Sequence, residues 1–334
     1  MPAVVETMMF QGKLPWHGEG TPIDREDCFS VEKGLEKSGC DWEVHLKDLM
    51  TVDKAQSAVN YAATEGNAFE LKPNVSHRAV VRETDGSVLG VVGARYTPLQ
   101  NKQAFEFFQP YLDAEEAFLH TAGSLYSGRK VWVLAQINSD SIEVVKGDEV
   151  CPFLLLSNSH DGTSAVRIGF TPIRVVCANT LSFAHSNSAS KLIRIRHSGQ
   201  VETNLERIRE TMSLATREFE ATVEQYQSLA AKQMNVADLR KFVKIVLAVD
   251  NVHDADLKTR TKNTLDQIIG LCESGQGNTL PKARGTWWSA YNGVNEYFNH
   301  VQGRNNNNRL GSLWFGVNEA KNRTALEIAL EMAG

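Results

Sequence analysis

The apolar residues of this chain change period near residue 200, and that change restricts the fold more than any other feature. Before it, short runs alternate or are wholly apolar, as strands require. After it, apolar residues recur at i, i+3 and i+4, as in amphipathic helices. Lys130–Ile137 and Phe153–Ser157 are rich in Val, Leu, Ile and aromatics, and Asn158-Ser159-His160-Asp161-Gly162-Thr163 is a dense turn signal. Beyond Val201, Leu205, Ile208, Met212, Ala215, Phe219, Val223 and Tyr226 form one helical stripe. The expected fold is α+β: an antiparallel β-sheet core with helices, followed by a helical C-terminal region. The expected organisation is an irregular N-terminal arm over 1–24, a core over 25–200 and a helical region over 201–334.

Finer expectations follow from local chemistry. Gly12, Pro15, Gly18, Gly20 and Pro22 make Met1–Pro22 read as irregular. Ser30 caps a short helix to Ser38. His77–Arg82 and Val88–Val92 bracket a glycine-bearing turn and read as a hairpin. Asn101–Leu112 has helical spacing that Pro110 ends or kinks. Ala165–Phe170 and Ile173–Val176 read as strands with Pro172 forcing an edge or a break between them, and Asn179–Ala184 as the start of a helix. Further helices are expected at Val236–Val249, Asp256–Cys272, Thr286–Gln302 and Val317–Met332.

Composition excludes several classes. Of 334 residues, 42% are hydrophobic and 22% charged, which suits a folded chain rather than a disordered one. No run approaches the roughly 20 apolar residues of a membrane span, and no basic-then-apolar leader opens the chain, so a cytoplasmic location is expected. Five cysteines (Cys28, Cys40, Cys151, Cys177 and Cys272) are odd in number and widely spread, which suits reduced thiols rather than a disulfide or zinc framework.

Recognisable catalytic chemistry is sparse. Cys177 closes a Val-Val run and reads as a small core residue. His160-Asp161 and His17-Gly18-Glu19 lack metal-ligand spacing, so no metal is expected. Gly90-Val91-Val92-Gly93 follows a strand, but neither phosphate-loop glycine pattern is present, which disfavours ATP hydrolysis. No catalytic residue and no cofactor are therefore assigned. The stripe of Trp287, Tyr291, Val294 and Phe298 reads as packing.

Charge is more informative. The net charge of −5 is uneven: residues 1–120 hold 11 basic and 19 acidic side chains, and residues 121–200 hold 8 and 5. Arg129, Lys130, Arg167, Arg174, Lys191, Arg194 and Arg196 lie in that middle part, and no acid falls between Gly162 and Val201. Strand alternation puts Arg194 and Arg196 on one face and Ile193 and Ile195 on the other. Guanidinium forks suit phosphate, and Phe170 and Phe183 are candidates for base stacking at the same surface.

Several segments together resemble a known family. They are Trp16-His17-Gly18-Glu19-Gly20-Thr21, Leu156-Ser157-Asn158-Ser159-His160-Asp161-Gly162, Arg174-Val175-Val176-Cys177-Ala178-Asn179-Thr180-Leu181, Arg194-Ile195-Arg196-His197-Ser198-Gly199 and Gly285–His300. The chain resembles the phage/plasmid-like protein family, a domain of unknown function found in phages, plasmids and integrated mobile elements. Ser198 departs conservatively from a Thr in the family's pattern. By analogy, the resemblance extends distantly to phage single-strand annealing recombinases.

The expected function is ATP-independent binding of single-stranded DNA, or RNA, supporting annealing or recombination of mobile-element DNA. The partners expected are nucleic acid and further copies of the chain, held through the C-terminal helices, with no membrane. Two other readings stay open: an anti-defence module that binds a host protein, and an enzyme built on His160, Asp161 and Cys177.

Overall fold

The computed structural model describes residues 5–12, 20–54, 69–138, 140–174, 179–180, 193–199, 212–303, 312 and 317–334. The fold is mixed α+β, dominated by antiparallel pairing, with helices after the strand-rich part. A nine-stranded sheet runs β11-β10-β9-β7-β6-β1-β2, where β2 is Thr21–Pro22, with β12 on β10 and β8 on β9. A second sheet runs β3-β4-β5.

The large sheet is built around β6 (Ala117–Leu125), β7 (Lys130–Ile137) and β9 (Asp148–Ser159), whose near-continuous burial marks them as central. β10 (Val166–Arg174) lies outside β9, and β12 (Ile193–Ile195) outside β10. Met9, Val131, Val133, Leu154, Leu156, Val166, Ile168 and Ile195 join the main apolar cluster on one face. That cluster also holds side chains of α1 (Val31–Ser38), α2 (Asn101–Glu106), α3 (Gln109–Asp113) and the small sheet. The other face holds Met8, Phe10, Trp132, Leu134, Phe153 and Leu155.

Local chemistry explains the helix limits. The Ser30 hydroxyl accepts the Lys33 N–H at 3.2 Å, and Gly39 ends α1 with φ 65°, as expected of a Ser cap and a left-handed glycine terminus. The expected Asn101–Leu112 helix is two helices, because Pro110 fits the first turn of a new helix better than the interior of an old one.

Three expectations are corrected. The opening segment is not wholly irregular: Val5–Phe10 is β1, antiparallel to β6, because Val5, Met8, Met9 and Phe10 all bury apolar surface. Pro172 does not divide β10. It faces Pro152 across β9, and two residues without an N–H are tolerated opposite each other only where the ladder needs no donation. Asn179–Thr180 is the short strand β11 rather than a helix start, because it pairs with Ile173 and Arg174.

β3 (Val44–Lys54), β4 (Phe69–Arg82) and β5 (Val88–Gly93) form the small sheet, whose outer arm exposes Met50, Val52 and Leu71. The small sheet touches the large one at Gly90, where a Cβ would lie 2.5 Å from the Asp161 Cα. Arg82 adds a second tie. Its guanidinium donates to both Glu6 oxygens at 2.7 and 3.0 Å, and lies 4.6 Å over the Trp42 ring.

The C-terminal helices are α4 (Met212–Ala231), α5 (Val236–Val246), α6 (Thr259–Ser274), α7 (Trp287–Glu296) and α8 (Val317–Ala333). They share a core with Val144, Val145 and Val150 of β8 (Ile142–Val145) and β9. Every residue of α7 from Trp287 to Asn295 is buried, so its aromatic stripe is internal packing and offers no face to another subunit. Among the described residues, no helix is long and apolar enough to cross a membrane.

Candidate nucleic-acid interface

The register sets four of the expected basic residues near one another. Trp132 pairs with Ser157, Ser157 with Arg167, and Arg167 with Arg194, so these residues form one row across β7, β9, β10 and β12. Lys130 pairs with Ser159, one row along on the same face. Arg196 follows β12 two residues beyond Arg194 and shares its direction. Ile195 is 4% exposed and Ile193 packs beside it, while Arg194 and Arg196 are exposed. Apolar burial on one side of β12 therefore forces its charges outward. Among the described residues, neither Arg194 nor Arg196 has an ion pair.

The other expected residues divide differently. Arg129 is exposed in the turn before β7, where its carbonyl accepts the His160 N–H at 2.8 Å. Arg174 does not belong to the row. It is fully buried, its Nε and Nη2 donate to the two Asp148 oxygens at 2.7 and 2.6 Å, and its Nη1 donates to the Gln276 carbonyl at 2.8 Å. A guanidinium so enclosed has no donor to offer a phosphate. Phe170 is also corrected: it packs against the main cluster, on the face opposite Arg167, so it does not stack bases beside that side chain. Lys191, Phe183 and Cys177 lie outside the described residues.

Lys130 is half-buried, and burial lowers its pKa. Arg167 adds to that effect and Asp161 opposes it. Asp161 accepts from the Ser159 hydroxyl at 2.5 Å and from the Thr163 N–H and hydroxyl at 2.9 and 2.6 Å. Burial pushes its pKa up, but these bonds and nearby Lys130 outweigh that and hold the carboxyl below its usual range. Asp161 thus shapes the turn.

His160 sits beneath that turn, on the opposite side of β9. Asn101 donates from its Nδ2 to the Cys40 and Trp42 carbonyls at 3.0 and 3.2 Å, which leaves its Oδ1 facing His160 Nε2 at 2.9 Å. Nε2 must then carry the proton, and Nδ1 is a buried acceptor without a partner. Burial pushes the pKa down to about 3, so the ring is neutral. No hydrogen bond joins His160 to Asp161, so the pair lacks the linkage of an acid–base couple.

An open cleft of about 570 Å³ lies between the small sheet and the turn after β12. Arg78, Arg95, Tyr96 and Ser198 line it with Leu46 and Pro98. Its two walls are joined by the Thr97 N–H donating to the His197 carbonyl at 3.1 Å and by His197 Nδ1 at 3.3 Å from the Thr97 carbonyl. The His197 and Tyr96 rings stack at 4.6 Å.

A family model described as a domain of unknown function, DUF932, matches residues 88–314, well over half of the chain. The chain belongs to the DUF932 family. No curated protein and no solved structure matches it. The part matching DUF932 contains the basic row, the 94–98 and 198–199 walls of the cleft and the Arg174–Asp148 pair. Leu46 and Arg78 lie before it.

Sequence reasoning missed Arg78 and Arg95 of this DUF932 chain as site residues. The signal was present in Arg95-Tyr96-Thr97-Pro98, but nothing in the sequence joins that segment to Ser198, a hundred residues later. One group among the described residues has metal-ligand spacing: Glu43, His45 and Glu83, all exposed, with ligand atoms within 4.8 Å of one another. Two carboxylates and an imidazole could hold a divalent cation.

Proposed function

We propose that this protein binds single-stranded nucleic acid, without ATP, along the outer face of β12 and β10, and supports annealing or recombination of mobile-element DNA. The observation that carries this reading is the pair Arg194 and Arg196. Both are exposed over a buried apolar underside, stand beside Arg167, and have no carboxylate partner among the described residues. Extended backbone presents side chains at alternate positions, which suits a sugar-phosphate chain running across the row. Lys130 extends the row and Arg129 flanks it. The overall charge of −5 does not oppose this, because the local field decides where a phosphate settles.

The test is binding of a single-stranded oligonucleotide over a range of salt concentrations. Each phosphate neutralised contributes about 0.7 to the logarithmic salt slope for a single strand. The variant Arg194→Ala/Arg196→Ala should bind more weakly and show a slope shallower by about 1.4. Unchanged affinity and slope in that variant would remove the basis of the proposal.

A further inference from the structure

We infer that the cleft beside β12 receives one nucleotide of the bound strand, its phosphate held by Arg95 and Arg78 and its base laid on the Tyr96–Pro98 wall. This rests on the single-strand reading, and it goes further by naming a pocket for an individual unit.

Three observations point to that ligand. The first is charge. Two guanidinium groups line the cleft, and no acidic side chain does. Arg95 has no ion pair among the described residues, and Arg78 has only a loose, exposed one with Asp48 at 3.5 Å. Two guanidinium forks on one cleft, Arg95 without a carboxylate partner among the described residues and Arg78 held only loosely by Asp48, suit a dianionic or bridging phosphate.

The second is the floor. Leu46, Ala94 and Pro98 are apolar, and Tyr96 adds a ring held in place by its hydroxyl, which donates to the Ser159 carbonyl at 2.9 Å. An inorganic anion would gain nothing from such a floor, whereas a base buries its faces there. The volume of about 570 Å³ lies within the range of roughly 300–1,000 Å³ typical of small-ligand sites.

The third is continuity. Ser198 and Gly199, which form one wall, follow Arg196 in the chain with only His197 between. A strand lying over Arg194 and Arg196 therefore ends within a few residues of the cleft wall. The bonds between Thr97 and His197 hold both walls in place before any ligand arrives, so little ordering is needed on binding.

The experiment uses the full chain and three probes: deoxythymidine monophosphate, inorganic phosphate and a deoxythymidine oligonucleotide. Each is titrated against the native protein and against Arg95→Ala, Arg78→Ala and Gly199→Trp. The last keeps both charges but adds bulk where a Cβ meets nothing within 4 Å. The monophosphate should bind the native protein at least tenfold more tightly than phosphate does. Arg95→Ala and Gly199→Trp should each weaken it by tenfold or more, with circular dichroism confirming that the variants remain folded. An oligonucleotide carrying 5-iodouracil should cross-link to Tyr96 under ultraviolet light.

Equal binding of phosphate and monophosphate would overturn the inference, as would indifference of the monophosphate to both substitutions. Oligonucleotide binding lost in Arg194→Ala/Arg196→Ala but untouched in Arg95→Ala and Gly199→Trp, with no monophosphate binding, would overturn the cleft and leave the strand reading intact. Monophosphate binding without oligonucleotide binding would keep the cleft and remove the strand.

Discussion

Arg174 and Asp148 face each other in two parallel hydrogen bonds, at 2.7 and 2.6 Å, with both side chains entirely buried. Arg174 lies at the end of β10 and Asp148 at the start of β9. The Asp148 carboxylate also accepts from the Trp288 indole on α7 at 2.8 Å, and Arg174 reaches the Gln276 carbonyl after α6. The pair thus ties the large sheet to the helical core. Removing one partner strands the other charge, so Arg174→Met should cost about 3–5 kcal/mol in urea denaturation. Arg174→Met/Asp148→Asn should cost less than the sum of the two single changes, since neither charge is then left alone.

Gly90 allows the small sheet to close on the turn at Asp161. A methyl group there would have to displace backbone rather than a flexible side chain. Gly90→Ala should lower stability by about 1–3 kcal/mol, measured by denaturation. It should also weaken ligand binding at the cleft, because Arg78 sits on the sheet that would move.

Arg167 and Arg194 stand directly opposite each other across β10 and β12. Like charges in that position repel. Arg194→Gln should raise stability by about 0.2–1 kcal/mol at low salt. The same substitution should lower affinity for single-stranded oligonucleotide. A variant that loses both stability and affinity would contradict the argument.

Cys28, Cys40 and Cys272 are buried thiols. Burial pushes Cys28 up to about 11 and Cys40 up to about 12, and raises Cys272 further. The thiolate is the reactive form, so all three should resist iodoacetamide at mildly alkaline pH in the native protein. Peptide mapping by mass spectrometry should show their labelling only after denaturant is added.

Two histidines, His160 buried and His120 partly buried, make the fold sensitive to acid. Burial holds His120 down to about 4, with Arg25 adding to the effect, and His160 down to about 3. Unfolded, both titrate near about 6.5. Their neutral form is the folded form, so stability is fully present above about 6.5 and falls as pH drops towards about 4, where the unfolded chain binds protons that the folded chain excludes. The slope should reach up to about 1.4 kcal/mol per pH unit for each histidine. Denaturation over that range should show a gentler fall in His120→Phe, whose ring can keep the edge contact with Phe153.

Much of the fold was legible in the sequence where a single period or a single cap decides the outcome. The Ser30 cap, the β4–β5 turn, α5, α6 and α8 all rest on local chemistry that their own residues carry. The aromatic stripe of α7 read correctly as packing for the same reason. The possible break at Pro172 did not occur and Val5–Phe10 was misread, because each depends on a partner far along the chain: Pro152 on β9 for one, β6 for the other.

The candidate site divides along the same line. Alternation along Ile193–Arg196 by itself determined that the two arginines point away from their isoleucines, since neighbouring side chains on extended backbone take opposite faces. Whether a given arginine stays available was decided only in three dimensions. Arg174 and Arg194 look alike in sequence, yet one meets Asp148 in a dry interior and the other faces outward. Charge pairing and burial depend on residues brought together from distant parts of the chain, and so does the cleft that joins Arg78 and Arg95 to Ser198. Periodicity acts over a few residues and carries no record of such meetings.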